Sequence, residues 1–189
     1  MSNCDISSGR LVDCKDSLGG IKAVYIGNYE DMLVQAGWVV AADIVTAIAT
    51  AGQTFFEFEL RPELSSMTVN YMADAASGTT FFEQTCSLTF QKLESTDIAD
   101  IRELCEGRPN IWILDRNDNV WLLGAENGCH VTGGSIVTGV GYADMNGYTI
   151  DFTAREQNPL FMGSAPGGTP SAANWPLDNV TNAVVTVAS

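Results

Sequence analysis

At 189 residues, with 46% hydrophobic and 17% charged side chains, the chain is long enough to bury a core and too apolar to be disordered. Its 23 acids against 9 bases give a formal net charge of −14, which excludes a nucleic-acid grip built on a basic footprint and adsorption to an anionic membrane. No apolar run has the length of a membrane span, and the start, Met1-Ser-Asn-Cys-Asp-Ile6, has neither a basic n-region nor an apolar h-region, so a cytosolic product is expected.

In chain order, residues 1–20 mix Gly9, Gly19 and Gly20 with Ser, Asp and Lys and read as an irregular N-terminal arm. Ile21 to Ile26 is a first strand. Gly37 to Ala51 is rich in Val, Ile and Ala, a buried strand or a short helix that pattern does not separate. Gln53 to Leu60 alternates, with Phe56, Phe58 and Leu60 on one face and Phe55, Glu57 and Glu59 on the other; Pro62 ends it.

Ser65 to Ala73 and Thr79 to Lys92 are two longer strands joined by the small turn Asp74-Ala-Ala-Ser-Gly78, which predicts a long hairpin. In the second strand Cys86, Leu88 and Phe90 want a core. Glu83, Thr85, Ser87, Thr89 and Gln91 share the opposite face, with no Lys or Arg until Lys92. Such a face is ordinarily plain solvent exposure. The sharper alternative is the wall of a wet channel, with Glu57 and Glu59 adding carboxylates from a neighbouring strand.

One helix is predicted next. Thr96 or Ser95 suits the N-cap, Asp97 and Asp100 lie near the positive end, and Gly107 and Pro109 close it. Ile98, Ile101, Leu104 and Cys105 form one apolar stripe, expected to pack on the outer side of a sheet. Asn110 to Gly124 is a hairpin turning at Asp115–Asn119. A Gly-, Thr- and Val-rich stretch runs from Cys129 to Tyr142, and a turn at Ala143–Gly147 leads into a strand, Tyr148 to Ala154, with Thr149, Asp151 and Thr153 on its polar face. After Pro159 the composition changes, so residues 21–160 are expected to form the domain and 161–189 a C-terminal extension, with a short edge strand within 179–188.

The chemistry-bearing motifs are incomplete. Asp115, Asn117, Asn119 and Glu126 have the spacing of a calcium loop, but the sixth position is Val120 where glycine is needed, and the flanks read as strands. An Asp/Asn-rich β-turn explains them better. Gly133-Gly-Ser-Ile-Val137 lacks the second glycine of a nucleophile elbow, and Gly139-Val-Gly141 lacks the rest of a dinucleotide loop. His130 is the one histidine, and nothing flags partners for it or zinc spacing around Cys129. The five cysteines fit reduced thiols; Cys86 and Cys105 are expected in the core, and Cys4 and Cys14 could pair. No catalytic centre, metal site or cofactor is expected.

The block from Phe81 to Phe161 resembles the major tail tube proteins of tailed bacteriophages. The resemblance is carried by Phe82-Glu-Gln-Thr-Cys-Ser-Leu88, the helix with Ile101-Arg-Glu-Leu104, Asp118-Asn119 before Trp121-Leu-Leu-Gly124, Glu126-Asn-Gly128, Val131-Thr-Gly-Gly134, Thr138-Gly139, and Asp144-Met-Asn-Gly-Tyr-Thr-Ile-Asp-Phe-Thr153 with Glu156. It covers under half of the chain. It implies a mainly β fold: a β-sandwich or barrel with one flanking helix, whose long hairpin joins a ring-shaped intersubunit β-barrel. It further implies homo-hexameric rings stacked into a virion tail tube, assembled in the host cytoplasm beside other tail or neck proteins. DNA would pass through without specific binding, no membrane would be involved, and Glu57, Glu59, Glu83, Thr85, Ser87, Thr89 and Gln91 would face the lumen. A neck, hub or terminator protein of the same fold fits the same residues. A different class also fits: a β-sandwich module that binds a protein partner or a carbohydrate, with Trp38, Trp112, Trp121 and Trp175 as a sugar platform.

Overall fold

The structure, a computed structural model, describes residues 17–48, 52–92, 95–168, 170 and 173–187. Strand β1 (Ile21–Gly27) is followed by two short strands, β2 (Val39–Ala41) and β3 (Ile44–Ala47). These resolve the ambiguous apolar stretch as a tight hairpin, turned by Ala42 and Asp43 with φ of 52° and 63°, the pair of positive values a type I′ turn demands. Then come β4 (Gln53–Glu59), β5 (Ser66–Asp74), β6 (Thr79–Gln91) and helix α1 (Ser95–Glu106). The chain continues through β7 (Asn110–Asp115), β8 (Val120–Leu123), β9 (His130–Val137), β10 (Gly147–Glu156), β11 (Phe161–Gly163) and β12 (Ala183–Thr186).

The fold is mainly β, in two sheets. Eight strands run in the order β12-β4-β1-β7-β8-β11-β3-β2 and four in the order β5-β6-β10-β9. Every pairing is antiparallel except β11 with β3 and β12 with β4. The larger sheet buries both faces. Val24, Ile26, Ile111 and Ile113 point at the smaller sheet and meet Cys86, Leu88, Phe90, Ile150 and Phe152. Tyr25, Phe55, Trp112 and Leu122 point the other way, into a second core that the sheet curls around. One bridge, Ala47 to Thr181, ties the ends of the curl. The seam is a single bridge rather than a ladder, so the sheet is not a closed barrel. Each fully buried side chain such as Leu88, Ile111 or Phe152 contributes about 1.5–3 kcal/mol.

Two expectations change. The segment after residue 160 is not an appendage: β11 lies inside the larger sheet, and Leu177, Val180, Ala183 and Val185 fill the second core. The Gly/Pro/Ser-rich composition belongs to residues 163–173, and the apolar residues that follow at 177, 180, 183 and 185 are the ones that pack. The helix is only half docked. Ile101 and Leu104 pack against the core between the sheets, but Ile98 is 50% exposed and Cys105 is exposed. Residues 1–16 of the expected arm, the possible Cys4–Cys14 pair and the side chains of Ser95, Thr96 and Asp97 lie outside the described residues.

Partial burial sets the scale for the helix. Leu104→Ala should destabilise the fold by about 1–2 kcal/mol, below the range for a fully buried leucine, and Ile98→Ala by less than about 0.5 kcal/mol. Chemical denaturation of both variants checks this; equal losses would contradict the half-docked helix.

Candidate functional site

The β5–β6 hairpin begins the smaller sheet, one face of which is polar. Its turn is built by Asp74, whose carboxylate accepts the Ala76 N–H and the Ser77 hydroxyl, both at 2.9 Å, while Gly78 takes the positive φ of 68°. These bonds hold the Asp74 carboxyl below its ordinary range. Register then places β6 directly against β10: Glu83 opposite Arg155, Thr85 opposite Thr153, Ser87 opposite Asp151, Thr89 opposite Thr149 and Gln91 opposite Gly147. Opposed residues of an antiparallel pair share a face. Since Cys86, Leu88, Phe152 and Ile150 take the core side, Glu83, Thr85, Ser87, Thr89 and Gln91 share the opposite phase; Gln91 is exposed, Glu83, Thr85 and Ser87 are half-buried, and Thr89 is buried at 8% exposure.

The rungs are bonded across the strands. Arg155 donates through Nε and Nη2 to Glu83 Oε1, each at 3.0 Å. Ser87 donates to Asp151 Oδ1 at 2.6 Å, and the Thr89 and Thr149 hydroxyls lie 3.3 Å apart. On the β9 side the Thr132 and Thr153 hydroxyls are 3.1 Å apart. Between Glu83 and Gln91 the outer face is therefore mostly hydroxyls and carboxylates with one guanidinium, Arg155, while Met72 and Phe81 share its phase at the hairpin end and Val137 at the other. Strand β6 alone could not reveal that base. It continues the outward phase Thr149, Asp151, Thr153 on β10, so period two carried to the end of that strand finds it.

Glu57 and Glu59 do not belong to this surface. Strand β4 is in the other sheet, not beside β6, and Glu57 and Glu59 sit opposite Tyr25 and Ala23 of β1, on the face of the second core. Tyr25 donates its hydroxyl to Glu57 Oε1 at 3.1 Å; burial first, and then the Glu57 carboxylate, push the phenol pKa up. Glu59 is exposed at one end, where it lines an open cleft with Gln91, Arg61 and Lys92. Alternation sets the faces within one strand and carries no information about which strand lies beside which.

The tryptophans form no platform. Trp112 is fully buried, and Trp38 meets Phe161 edge to face at 5.7 Å between centroids. The Trp121 indole N–H donates to Asp115 at 3.2 Å, and Lys22 Nζ lies 5.0 Å from the centre of the Trp175 ring.

The calcium-like loop spends its oxygens on the protein itself. Asp115 Oδ1 accepts the N–H groups of Asn117 and Asn119 at 2.8 Å, and Oδ2 accepts the Asn119 amide at 2.9 Å and the Trp121 indole. No cluster of metal-ligating side chains exists among the described residues. Burial pushes the Cys86 thiol pKa up to about 12 and carries that of Cys129 well above its ordinary value, so both are protonated core groups at neutral pH.

Burial works to raise the Asp115 carboxyl pKa, but the four N–H donors outweigh it and hold the group below its ordinary value. A depressed pKa adds stability above the unfolded-state value and loses it as pH falls through the folded one. Asp115→Ala should therefore cost about 1–3 kcal/mol at pH 7. The gap to the parent should narrow as pH falls below the ordinary aspartate range, measured as the difference in melting temperature across a pH series.

Comparison with family models, curated proteins and solved structures finds no match for the chain.

Proposed function

We propose that the protein is a structural subunit whose four-stranded sheet continues from one copy to the next, forming rings that stack into a phage tail tube through which DNA passes. The observation that supports it most is the state of the sheet edges. Among the described residues β5 pairs only with β6, and β9 only with β10. Strand β5 is nine residues long and largely exposed on both faces, with Tyr71 62% and Met72 45% exposed. Neither strand carries Lys, Arg or Pro, the residues that guard an open edge against pairing. Such edges suit a partner strand, and the β9 edge of one copy beside the β5 edge of the next would keep the sheet antiparallel throughout.

In a ring of this kind the outer face of the small sheet becomes a wall. Glu83, Thr85, Ser87, Thr89 and Gln91, with Asp151, Thr149 and Thr153 between them, would line the lumen. Glu57 and Glu59 are not part of this proposal. Carboxylates and hydroxyls hold water and repel phosphate, so a duplex would slide past without the counterion release that drives capture. Six copies per ring, a place in the tail and the absence of catalysis follow the family resemblance, which a neck, hub or terminator position also fits. The sugar-binding alternative loses its footing with the tryptophans committed to the core, to Asp115 and to Lys22.

Size-exclusion chromatography with negative-stain microscopy tests assembly. Rings or tubes are expected from the parent, and folded monomers from Tyr71→Lys with Ala73→Lys, which place two charges on the β5 edge away from the proposed lumen face. A parent that stays monomeric at tens of micromolar overturns the proposal. Thr85→Lys with Gln91→Lys, which spare the Glu83–Arg155 and Ser87–Asp151 bonds, should assemble yet slow DNA passage, most at low salt. Unimpeded ejection from such virions would remove these residues from the wall.

A further inference from the structure

One end of this face departs from its acidic character. Arg108, Asn127, His130, Thr132, Thr153 and Arg155 line a recess of about 450 Å³, within the size range of small-ligand sites. Two of the chain's nine Lys and Arg residues and its one histidine converge there, on a protein of net charge −14.

Arg108 is held in place rather than left loose. Its guanidinium carbon lies 4.2 Å from the centre of the Tyr29 ring, and the Tyr29 hydroxyl donates to Glu126 O at 2.9 Å. Gly128, with φ of 72°, makes room for this stack: a Cβ there would sit 2.8 Å from the Tyr29 ring and 2.7 Å from Arg108 O. Yet no carboxylate or carbonyl among the described residues accepts a bond from the Arg108 side chain, and none pairs with His130. Arg155 spends Nε and Nη2 on Glu83 and keeps Nη1. Asn127 donates one amide hydrogen to Arg155 O at 3.0 Å and keeps the other. Preset donors with no internal acceptor suit an oxyanion.

We propose that the recess is an oxyanion site whose ligand is a phosphate group, held by the open fork of Arg108 and the remaining edge of Arg155, with His130 and Asn127 beside them. Donors from four side chains on separate elements suit a tetrahedral, many-oxygened group better than a planar carboxylate. The phosphate could be free inorganic phosphate or the diester of a nucleic-acid backbone, since both present the same oxygens. The site belongs to one chain and stands whether or not copies form rings.

A single histidine gives a single reporter. At fixed pH and ionic strength, the imidazole resonances of His130 are followed by NMR during titration with inorganic phosphate, dimethyl phosphate, acetate or chloride. Thermal unfolding of the same samples serves if the protein assembles. A saturable shift with inorganic phosphate and none with dimethyl phosphate assigns free phosphate; a saturable shift with both assigns the backbone diester. In either case half-saturation should weaken about tenfold or more in Arg108→Gln and in Arg155→Gln, each shown to be folded by circular dichroism. Unchanged half-saturation in both variants overturns the proposal. So does a response that chloride reproduces, or one that acetate matches, which would mark instead a seat for a carboxylate of a second copy.

Discussion

Glu156 is only 3% exposed, yet its carboxylate accepts the backbone N–H groups of Glu126 and Asn127, and the fold depends on this contact and its neighbours. Glu156 ends β10 in the small sheet, while residues 124–128 leave β8 in the large one. Gln84, also buried, makes a second bond of the same kind by accepting the Gly124 N–H at 3.0 Å. From the other side Asn110 donates to Gly124 O and accepts the Glu30 N–H, and Met32 N–H bonds Ala125 O. A loop of five residues thus has its peptide groups answered by both sheets. Apolar packing alone would let the sheets slide, because it is not directional. Buried polar groups admit few arrangements, since a missed partner costs about 1–3 kcal/mol. Burial raises the Glu156 carboxyl pKa, with the nearby Glu126 and Asp31 adding to it and the two N–H donors opposing.

The second constraint is the division of labour between sheets. The large sheet is covered on both faces and tied at its ends by the Ala47–Thr181 bridge, so the C-terminal segment completes it. The small sheet is covered on one face only. Everything unusual about the surface collects on it: two open edges, a bonded polar face and a cationic recess at one end. The recess and the docking loop share Asn127, whose backbone N–H bonds Glu156 while its side chain bonds Arg155 O. The contact that orients the sheets therefore also shapes the recess.

Much of this was legible from period and turn chemistry. The alternation of β6 and β10 gives their faces correctly, and Asp74–Gly78 and Asp115–Asn119 mark their turns by residue type. What local pattern cannot supply is adjacency. Glu57 and Glu83 are each in the outward phase of their own strands, yet the strands belong to different sheets. Tyr25 carried no mark as the partner of Glu57, since that bond joins residues 32 positions apart. Arg108 sits in the link between helix and strand, where no period applies, and only the fold brings it to His130 and Arg155. Of the C-terminal core residues, Ala183 and Val185 alternate within the expected edge strand, whereas Leu177 and Val180 lie in turns where no period applies. Ile98 shows the converse failure: a sound helical stripe can outrun the surface available to cover it.

The two open edges of the small sheet are unlike. Strand β5 ends in a projecting hairpin, and β9 runs into the loop after Val137, where Asp144 binds the Val140 and Gly141 N–H groups and leaves Val140 and Tyr142 fully exposed. Contact between unlike edges is heterologous, so it has a direction and cannot stop at a pair as a two-fold contact does. Whether such a chain of copies closes is then a matter of rotation per step. Each added four-stranded sheet turns the next by the accumulated right-handed twist of its strands. Closure at a small number fixes a pore whose width is set by the strand count. Failure to close would give an open helix built from the same contact.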